Sequence, residues 1–348
     1  MNSLKTTIAV VIPVYNAKEF LEQAVSSVLE QPYPNISLVL VDDGSTDGSS
    51  RLCDELKLKS SRIQVIHQQN AGVSAARNAG IDYVLNETQA EQGRYLAFLD
   101  ADDCWTEEVF DEKTVELLQN GHDLIGFQSC NCDADLEPIG VANKMESGLH
   151  PGGQDNVWLH AKQPFGAMLY SCRLLAEKEI RFFEELKYSE DKIFSMQCLY
   201  LAQSIYLQNK LLYLYRHTGH SAMSRRKFGI PYFAPIIDGY LKLDSMMRAK
   251  QGDLSFTISR QMASIYVMDM ISEHFQALRG KKAVDRVLAS CPDFVSVVSA
   301  TGEYADLKPN EDYLLYIEHP TAYIMRNNWK GVIKLCRKIA RKAHLLKS

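Results

Sequence analysis

The apolar run Tyr95-Leu96-Ala97-Phe98-Leu99 ends in Asp100-Ala101-Asp102-Asp103, which places three carboxylates within four positions at the end of a segment of strand length. Like charges at this spacing repel one another. A folded protein keeps such a cluster mainly when a cation shares it, and Mg²⁺ and Mn²⁺ prefer carboxylate oxygens together with a ligand's phosphate oxygens. A solvated acidic turn is the alternative, because Asp is common in turns.

Three further predicted strands end in polar segments. They are Ile8–Ile12 before Pro13-Val14-Tyr15-Asn16, Ser37–Val41 before Asp42-Asp43-Gly44-Ser45-Thr46-Asp47, and Ile63–Ile66 before the segment Asn70–Gly80. Amphipathic segments of helix length separate the strands, and the first of them runs from Phe20 to Leu29 and is stopped by Pro32. Alternating strands and helices predict a parallel sheet covered on both faces, which binds ligands beyond the carboxyl ends of its strands.

The order of these segments resembles the family 2 inverting glycosyltransferases, which move a sugar from a nucleotide diphosphate to an acceptor. A fifth segment, Tyr188-Ser189-Glu190-Asp191-Lys192-Ile193-Phe194, follows where that family carries its acidic base motif. The resemblance covers roughly residues 7 to 220 and is specific, because five motifs occur in order. It implies the GT-A fold, an α/β structure with a Rossmann-like mixed sheet flanked by helices, followed here by a helical C-terminal region.

The resemblance implies that Pro13, Tyr15 and Asp43 line the pocket for the nucleotide base. An aromatic surface and an acceptor for a ring N–H suit uracil, so the expected donor is a UDP-sugar. Two structural alternatives are a Tyr15 ring that merely covers the end of the sheet and an Asp43 side chain that caps a helix near Ser45. Asp42 is the expected structural member of the acidic pair.

The segment Asn70–Gly80 suits a phosphate or the nucleoside beside it. Gly72 permits close approach of the backbone, and Arg77 places a fixed positive charge one turn into the predicted helix. An ion pair between Arg77 and Asp100 or Asp102 is the alternative, and both roles are compatible. The absence of a P-loop lysine signature and of a GxGxxG fingerprint weighs against ordinary phosphoryl transfer and dinucleotide binding.

Within the acidic cluster, the resemblance assigns Asp100 to the ribose and Asp102 to a Mg²⁺ or Mn²⁺ ion. Side chains two positions apart on a strand point to the same side, which fits this pairing. Asp103 either binds the water shell of the metal or caps a helix that begins near Glu107.

Inverting transfer is a single displacement at the anomeric carbon and needs a base on the acceptor side. Asp191 is the expected base, at the start of a helix, where its charge is favoured. The alternative is that Glu190 and Asp191 simply cap this helix.

A predicted strand, Leu211–Arg216, is followed by a polar loop of the kind that closes on bound ligands. His220 or Arg225 would then reach the diphosphate or the metal. The alternative for His220 is a surface or packing role.

Composition agrees with an ordinary folded enzyme. The chain has 348 residues, of which 46% are hydrophobic, and no run approaches the roughly 20 apolar residues of a membrane span. The first apolar stretch is a short strand, so no signal peptide is expected. Cys130-Asn131-Cys132 lacks the second pair that a zinc site needs. We expect reduced thiols, a cytoplasmic location and no nucleic-acid partner.

We expect a catalytic domain over residues 1–228 and a helical region over residues 229–348. Eight of the 38 Lys and Arg lie in residues 321–348, and all 43 acidic residues lie elsewhere. Residues 322–348 are predicted to form a basic amphipathic helix, which suits peripheral contact with an anionic membrane. Packing on the acidic domain of the same or a neighbouring chain is the alternative.

The resemblance, together with these patterns, implies a metal-dependent inverting glycosyltransferase that acts on a glycan or polyprenyl-linked glycan acceptor in the assembly of a bacterial capsule, exopolysaccharide or lipopolysaccharide. A nucleotidyltransferase is one rival, but it would need a basic triphosphate loop near the N-terminus, and Pro13 to Ala17 offers none. A non-catalytic sugar-nucleotide-binding protein of the same fold is the other, and it would have no need of Asp191.

Overall fold

The computed structural model describes residues 6–87, 93–107, 109–140, 147–151 and 165–218, together with positions 239, 242, 243 and 245–247. The chain divides into two compact units, Met1–Arg226 and Lys227–Ser348. All strands and helices named below belong to the first unit. The functional division at residue 228 and the helical character of the remainder stay predictions.

The elements of the first unit alternate between strand and helix over its first half. In chain order they are β1 (Thr7–Val14), α1 (Leu21–Leu29), β2 (Ile36–Asp42), α2 (Ser49–Lys59), β3 (Ile63–His67), α3 (Val73–Asn86), β4 (Arg94–Phe98), β5 (Cys104–Trp105), α4 (Glu112–Gln119), β6 (Leu124–Cys132), β7 (Gly148–Pro151), β8 (Met168–Ser171), α5 (Cys172–Glu177), α6 (Glu190–Leu201) and β9 (Ser204–Arg216).

The strands of the described residues form one mixed sheet in the order β3-β2-β1-β4-β8-β6-β9-β5, with β7 paired to β9. The first four strands predicted from the sequence, β1 to β4, pair in parallel, as their alternation with helices requires. Strand β8 is antiparallel to both β4 and β6, whereas β6 and β9 are parallel. The mixed α/β sheet expected from the family resemblance is therefore confirmed.

The central strands are mostly apolar because helices cover the sheet. Almost every residue of β1, β2 and β4 is buried, as is typical of parallel strands covered on both faces. Helix α3 packs so closely on β1 that a Cβ at Gly80 would lie 2.4 Å from Val11 Cγ1. A glycine is therefore required where this helix crosses the strand, and the crossing fixes the start of α3 relative to the end of β1.

One predicted helix start was wrong. The helix expected near Glu107 begins at Glu112, and Asp111 caps it by accepting a 3.0 Å hydrogen bond from the amide of Thr114. Upstream, Cys104 and Trp105 form β5, which pairs with β9. Both side chains are buried, so tertiary pairing and burial, rather than local sequence, decide the conformation there.

Candidate active site

Three strands end side by side at one edge of the sheet. Val14 is paired with Asp42 across β1 and β2, and Val11 is paired with Phe98 across β1 and β4. The residues that follow these strands include Tyr15, Asp43 and Asp100. These three predicted site residues therefore lie at the carboxyl edge, where parallel sheets bind ligands.

Tyr15 presents an aromatic ring at this edge, with 54% of the residue exposed. The next residue, Asn16, has a positive φ of 51°. The side-chain oxygen of Asn16 accepts a 2.7 Å hydrogen bond from the main-chain amide of Thr46, and the main-chain amide of Asn16 donates to Ser45 Oγ at 3.2 Å. These bonds join the loops after β1 and β2, so Tyr15 and the half-buried Pro13 follow a fixed backbone. Their contact with a base stays a prediction.

Asp43 is buried and organises the start of α3 rather than a cap near Ser45. Its carboxylate accepts hydrogen bonds from the amides of Ala71 at 2.8 Å and Gly72 at 2.9 Å, and from Gln68 Nε2 at 2.8 Å. Gly72 has a φ of +94°, and no atom lies within 4 Å of the place where its Cβ would be. The loop before α3 is thus held open beside the site, as close approach of a ligand requires.

Asp42 plays the structural part expected of it. One oxygen accepts from the amide of Ser45 at 3.0 Å, and the other lies 3.0 Å from His67 Nδ1. Hydrogen bonds with Asp42 and Asp54 raise the pKa of His67. Burial acts to raise the pKa of Asp42, but the hydrogen bonds from His67 and Ser45 outweigh it and lower that pKa. The pair fixes β2 to β3 beneath the site.

Arg77 is buried and joins two carboxylates. Its guanidinium lies 2.7 Å from Asp100 and 3.1 Å from Glu190, and it stacks over the rings of Phe165 and Phe182. Burial by itself would lower the pKa of Arg77, but Asp100 and Glu190 reverse this effect and raise it. The expected ion pair with Asp100 is confirmed, and the structure adds Glu190. Donor contact by Arg77 stays a prediction.

Glu190 and Asp191 form the first turn of α6, where the N-cap residue Ser189 makes no side-chain capping hydrogen bond. Burial raises the pKa of Glu190 to about 7, the nearby Asp191 adds to the shift, and Arg77 opposes it. The Asp191 carboxylate accepts a 2.7 Å hydrogen bond from the amide of Lys192. The helix start predicted for Asp191 is confirmed, and its role as base stays a prediction.

The turn after β4 holds Asp102 and Asp103 in different surroundings. Asp103 is buried and accepts hydrogen bonds from the Tyr213 hydroxyl at 2.5 Å and from the Arg216 amide at 2.7 Å. The carboxylate of Asp102 receives no hydrogen bond from any other residue in the described part of the chain. Burial, reinforced by Asp100, raises the pKa of Asp102 to about 6. Among the described residues, Asp102 is therefore the carboxylate of this cluster that no side chain or main-chain amide of another residue engages.

These surroundings fit a divalent cation whose other ligands come from a diphosphate and water. Among the described residues, no group of three or more His, Cys, Asp or Glu side chains is arranged to hold a metal by itself. Mg²⁺ characteristically uses one or two carboxylates together with substrate phosphates. A cation at Asp102 would also offset the repulsion from Asp100.

Several predicted features lie outside the described residues. They are His220, Arg225 and the basic helix expected over residues 322–348. Among the helices that are described, none has the length and apolar character needed to cross a bilayer.

Sequence reasoning missed the part that the end of β9 plays at this site. Tyr213 and Arg216 were predicted only as members of a strand, yet both contact the turn at Asp102 and Asp103. The available signal was a Tyr and an Arg at the end of an otherwise apolar strand, because buried residues of these types need polar partners.

Comparisons with known proteins agree with the fold. Residues 9–169 match the family model described as Glycosyl transferase family 2. The chain is 29% identical over 246 residues to the uncharacterized glycosyltransferase EpsJ of Bacillus subtilis, a match that covers 68% of this chain and 66% of EpsJ, just under two thirds. It is 36% identical over 119 residues to the putative teichuronic acid biosynthesis glycosyltransferase TuaG of the same organism, covering 34% of this chain and 44% of TuaG.

A solved structure shares the fold. The crystal structure of S. aureus TarS 1–349 in complex with UDP-GlcNAc superposes with a TM-score of 0.61 at 19% identity, covering 84% of this chain and 80% of that chain. Residues 9–169 therefore match the glycosyltransferase family 2, and the mixed sheet has the GT-A type of fold.

Proposed function

We propose that this protein is a metal-dependent inverting glycosyltransferase that uses a UDP-sugar donor. The observation that carries the proposal is the placement of Arg77 between Asp100 and Glu190. In the family pattern, Asp100 faces the donor ribose, and Glu190 precedes the base on the acceptor side. One buried guanidinium thus joins the two halves of the site that a displacement reaction must bring together.

The chemistry follows from the arrangement. Asp191 takes the proton of an acceptor hydroxyl, whose oxygen forms a bond to the anomeric carbon while the bond from that carbon to the diphosphate breaks. Tyr15 and Pro13 contact the base, and Asp43 keeps the loop at Gly72 open for the nucleotide. A Mg²⁺ or Mn²⁺ ion held by Asp102 and the diphosphate would neutralise negative charge on the leaving group. A carboxylate base contributes roughly 10²–10⁴ to such a rate.

The acceptor we propose is a hydroxyl of a glycan or polyprenyl-linked glycan of a bacterial surface polysaccharide. The support is the name of the relative TuaG, a putative teichuronic acid biosynthesis enzyme, and the basic segment at residues 321–348. This segment would hold the enzyme on the inner face of the cytoplasmic membrane, where lipid-linked acceptors are presented.

A panel of sugar nucleotides tests the donor. The full-length protein is incubated with UDP-, GDP- and dTDP-sugars in the presence of Mn²⁺, and both nucleotide release and the shift in melting temperature are measured. We expect one UDP-sugar to be hydrolysed slowly and to raise the melting temperature, as selective binding to the folded state requires. A protein that responds to no sugar nucleotide, but turns over a nucleoside triphosphate with a sugar phosphate, would be a nucleotidyltransferase instead.

A further inference from the structure

We infer that Tyr213 and Arg216, at the end of β9, are positioning residues that set the geometry of the cation site at Asp102. This inference rests on the proposed function, since it concerns the ion that Asp102 would hold. Neither residue belongs to the strand and turn that carry the acidic cluster. Both reach that turn from 110 or more positions further along the chain.

Tyr213 holds the turn at two points. Its hydroxyl donates to Asp103 Oδ2 at 2.5 Å and accepts from the amide of Asp100 at 3.3 Å. The ring has little freedom to move, because a Cβ at Gly166 would lie 2.1 Å from it. The hydroxyl therefore bridges Asp100 and Asp103, with Asp102 in the turn between them.

Arg216 holds the same turn at two further points. Its amide donates to Asp103 Oδ1 at 2.7 Å, and its Nε donates to the main-chain oxygen of Asp102 at 2.7 Å. The guanidinium is itself anchored, because it donates to Gln23 at 2.6 Å and lies over the ring of Phe20 at 5.0 Å. The planar guanidinium thus connects α1 to the backbone of Asp102.

These hydrogen bonds give Asp102 and Asp103 different parts in the site. Asp102 is held by its main chain, whereas its carboxylate receives no hydrogen bond from another residue in the described ranges. Asp103 is the reverse, since both of its carboxylate oxygens are engaged. The end of β9 therefore fixes the direction of the Asp102 side chain and leaves its carboxylate oxygens unengaged by β9. Loss of such outer hydrogen bonds typically weakens metal binding by about 10–100-fold.

Binding of Mn²⁺ in the presence of UDP tests this inference without any acceptor. The full-length protein and the variants Tyr213→Phe and Arg216→Lys are titrated with Mn²⁺ by electron paramagnetic resonance, and the affinity for UDP is measured separately in EDTA. Tyr206→Phe is the matched control, since it removes a hydroxyl near the other end of the same strand, where the ring stacks on His122. Melting temperatures are recorded for all proteins without metal.

We expect both variants to bind Mn²⁺ at least about tenfold more weakly, with unchanged affinity for UDP in EDTA, while Tyr206→Phe matches the parent. Variants that bind Mn²⁺ as the parent does would overturn the inference. So would variants that lose UDP and Mn²⁺ binding in parallel with a fall in melting temperature, because that result shows general destabilisation. A parent protein that binds no Mn²⁺ with UDP would instead overturn the metal dependence in the proposed function.

Discussion

Arg77 Nη1 lies 3.1 Å from Glu190 Oε1, although the two residues are 113 positions apart in the chain. Asp100 binds the other end of the same guanidinium at 2.7 Å. Because Arg77 is 4% exposed, water cannot replace a lost partner easily. The contact therefore fixes the start of α6, and with it Asp191, relative to the end of β4.

Glu190→Ala should destabilise the protein by about 3 kcal/mol, since it leaves a buried cation with one carboxylate partner. Asp82→Ala is the control, because Asp82 and Arg181 form a second ion pair between α3 and the segment before α6, with side chains 56% and 34% exposed. That variant should lose no more than about 1 kcal/mol. Urea unfolding gives the loss of unfolding free energy in both variants. Equal losses would show that the buried ion pair stabilises the fold no more than the exposed one does.

Asp191→Asn separates chemistry from binding. The donor's dissociation constant should stay nearly unchanged, because Asp191 lies on the acceptor side, whereas kcat should fall by roughly 10²-fold or more. Calorimetry with the donor and initial rates of nucleotide release give the two quantities. Equal activity in the variant and the parent would mean that another group takes the proton.

The contact between His67 and Asp42 predicts a pH dependence of stability. The pKa of His67 is raised by folding. Its contribution to the stability of the fold is therefore complete below the ordinary pKa of histidine near 6.5, and it is lost as the pH rises through the pKa of the folded state. The pKa of Asp42 is lowered, so its contribution is present above its ordinary value and is lost as the pH falls through the folded-state value. Stabilisation by the pair should thus be greatest between these limits.

His67→Asn checks this window. The His67 side chain is 44% exposed. We therefore expect the free energy of unfolding of the parent to exceed that of the variant by at most about 1 kcal/mol near pH 5.5, and by less near pH 9. Urea unfolding at both pH values gives the difference. A gap that widens toward pH 9 would contradict the assigned charges.

Deletion of residues 327–348 tests the proposed membrane contact. The truncated protein should no longer sediment with phosphatidylglycerol vesicles while it still hydrolyses the donor, because the site residues discussed above precede residue 228. Salt should weaken binding of the full-length protein, since basic residues attract anionic headgroups over about one Debye length. If the truncated protein aggregates and the full-length protein does not bind these vesicles at low salt, residues 327–348 pack against protein rather than membrane.

The sequence predicted those parts of the site that depend on local pattern. The strands before Tyr15, Asp43 and Asp100 are largely apolar runs, and their alternation with helices required a common carboxyl edge. The ion pair between Arg77 and Asp100 was also foreseen as an alternative. Each of these rests on short motifs that the parallel strand order brings to the same edge.

Contacts between distant segments were not predictable in the same way. Nothing in the local pattern of Glu190 indicated Arg77 as its partner, and nothing around Cys104 and Trp105 indicated a strand instead of a helix start. Both outcomes depend on where β9 and α6 return to the sheet, which burial and pairing of remote residues decide. The support of Asp102 by Tyr213 and Arg216 has the same origin.

Turnover of the sugar nucleotide with and without Mn²⁺, in the parent and in Asp102→Asn, tests the central claim most directly. Because the Asp102 carboxylate has no partner among the described residues, the variant should keep the parent's melting temperature. It should lose at least about 100-fold in Mn²⁺-dependent turnover, since a bound metal supplies several kcal/mol. Asp135→Asn, an exposed acid on a turn, should behave as the parent. Activity that survives in Asp102→Asn, or that persists undiminished in excess EDTA, would contradict the assignment of a metal to this site.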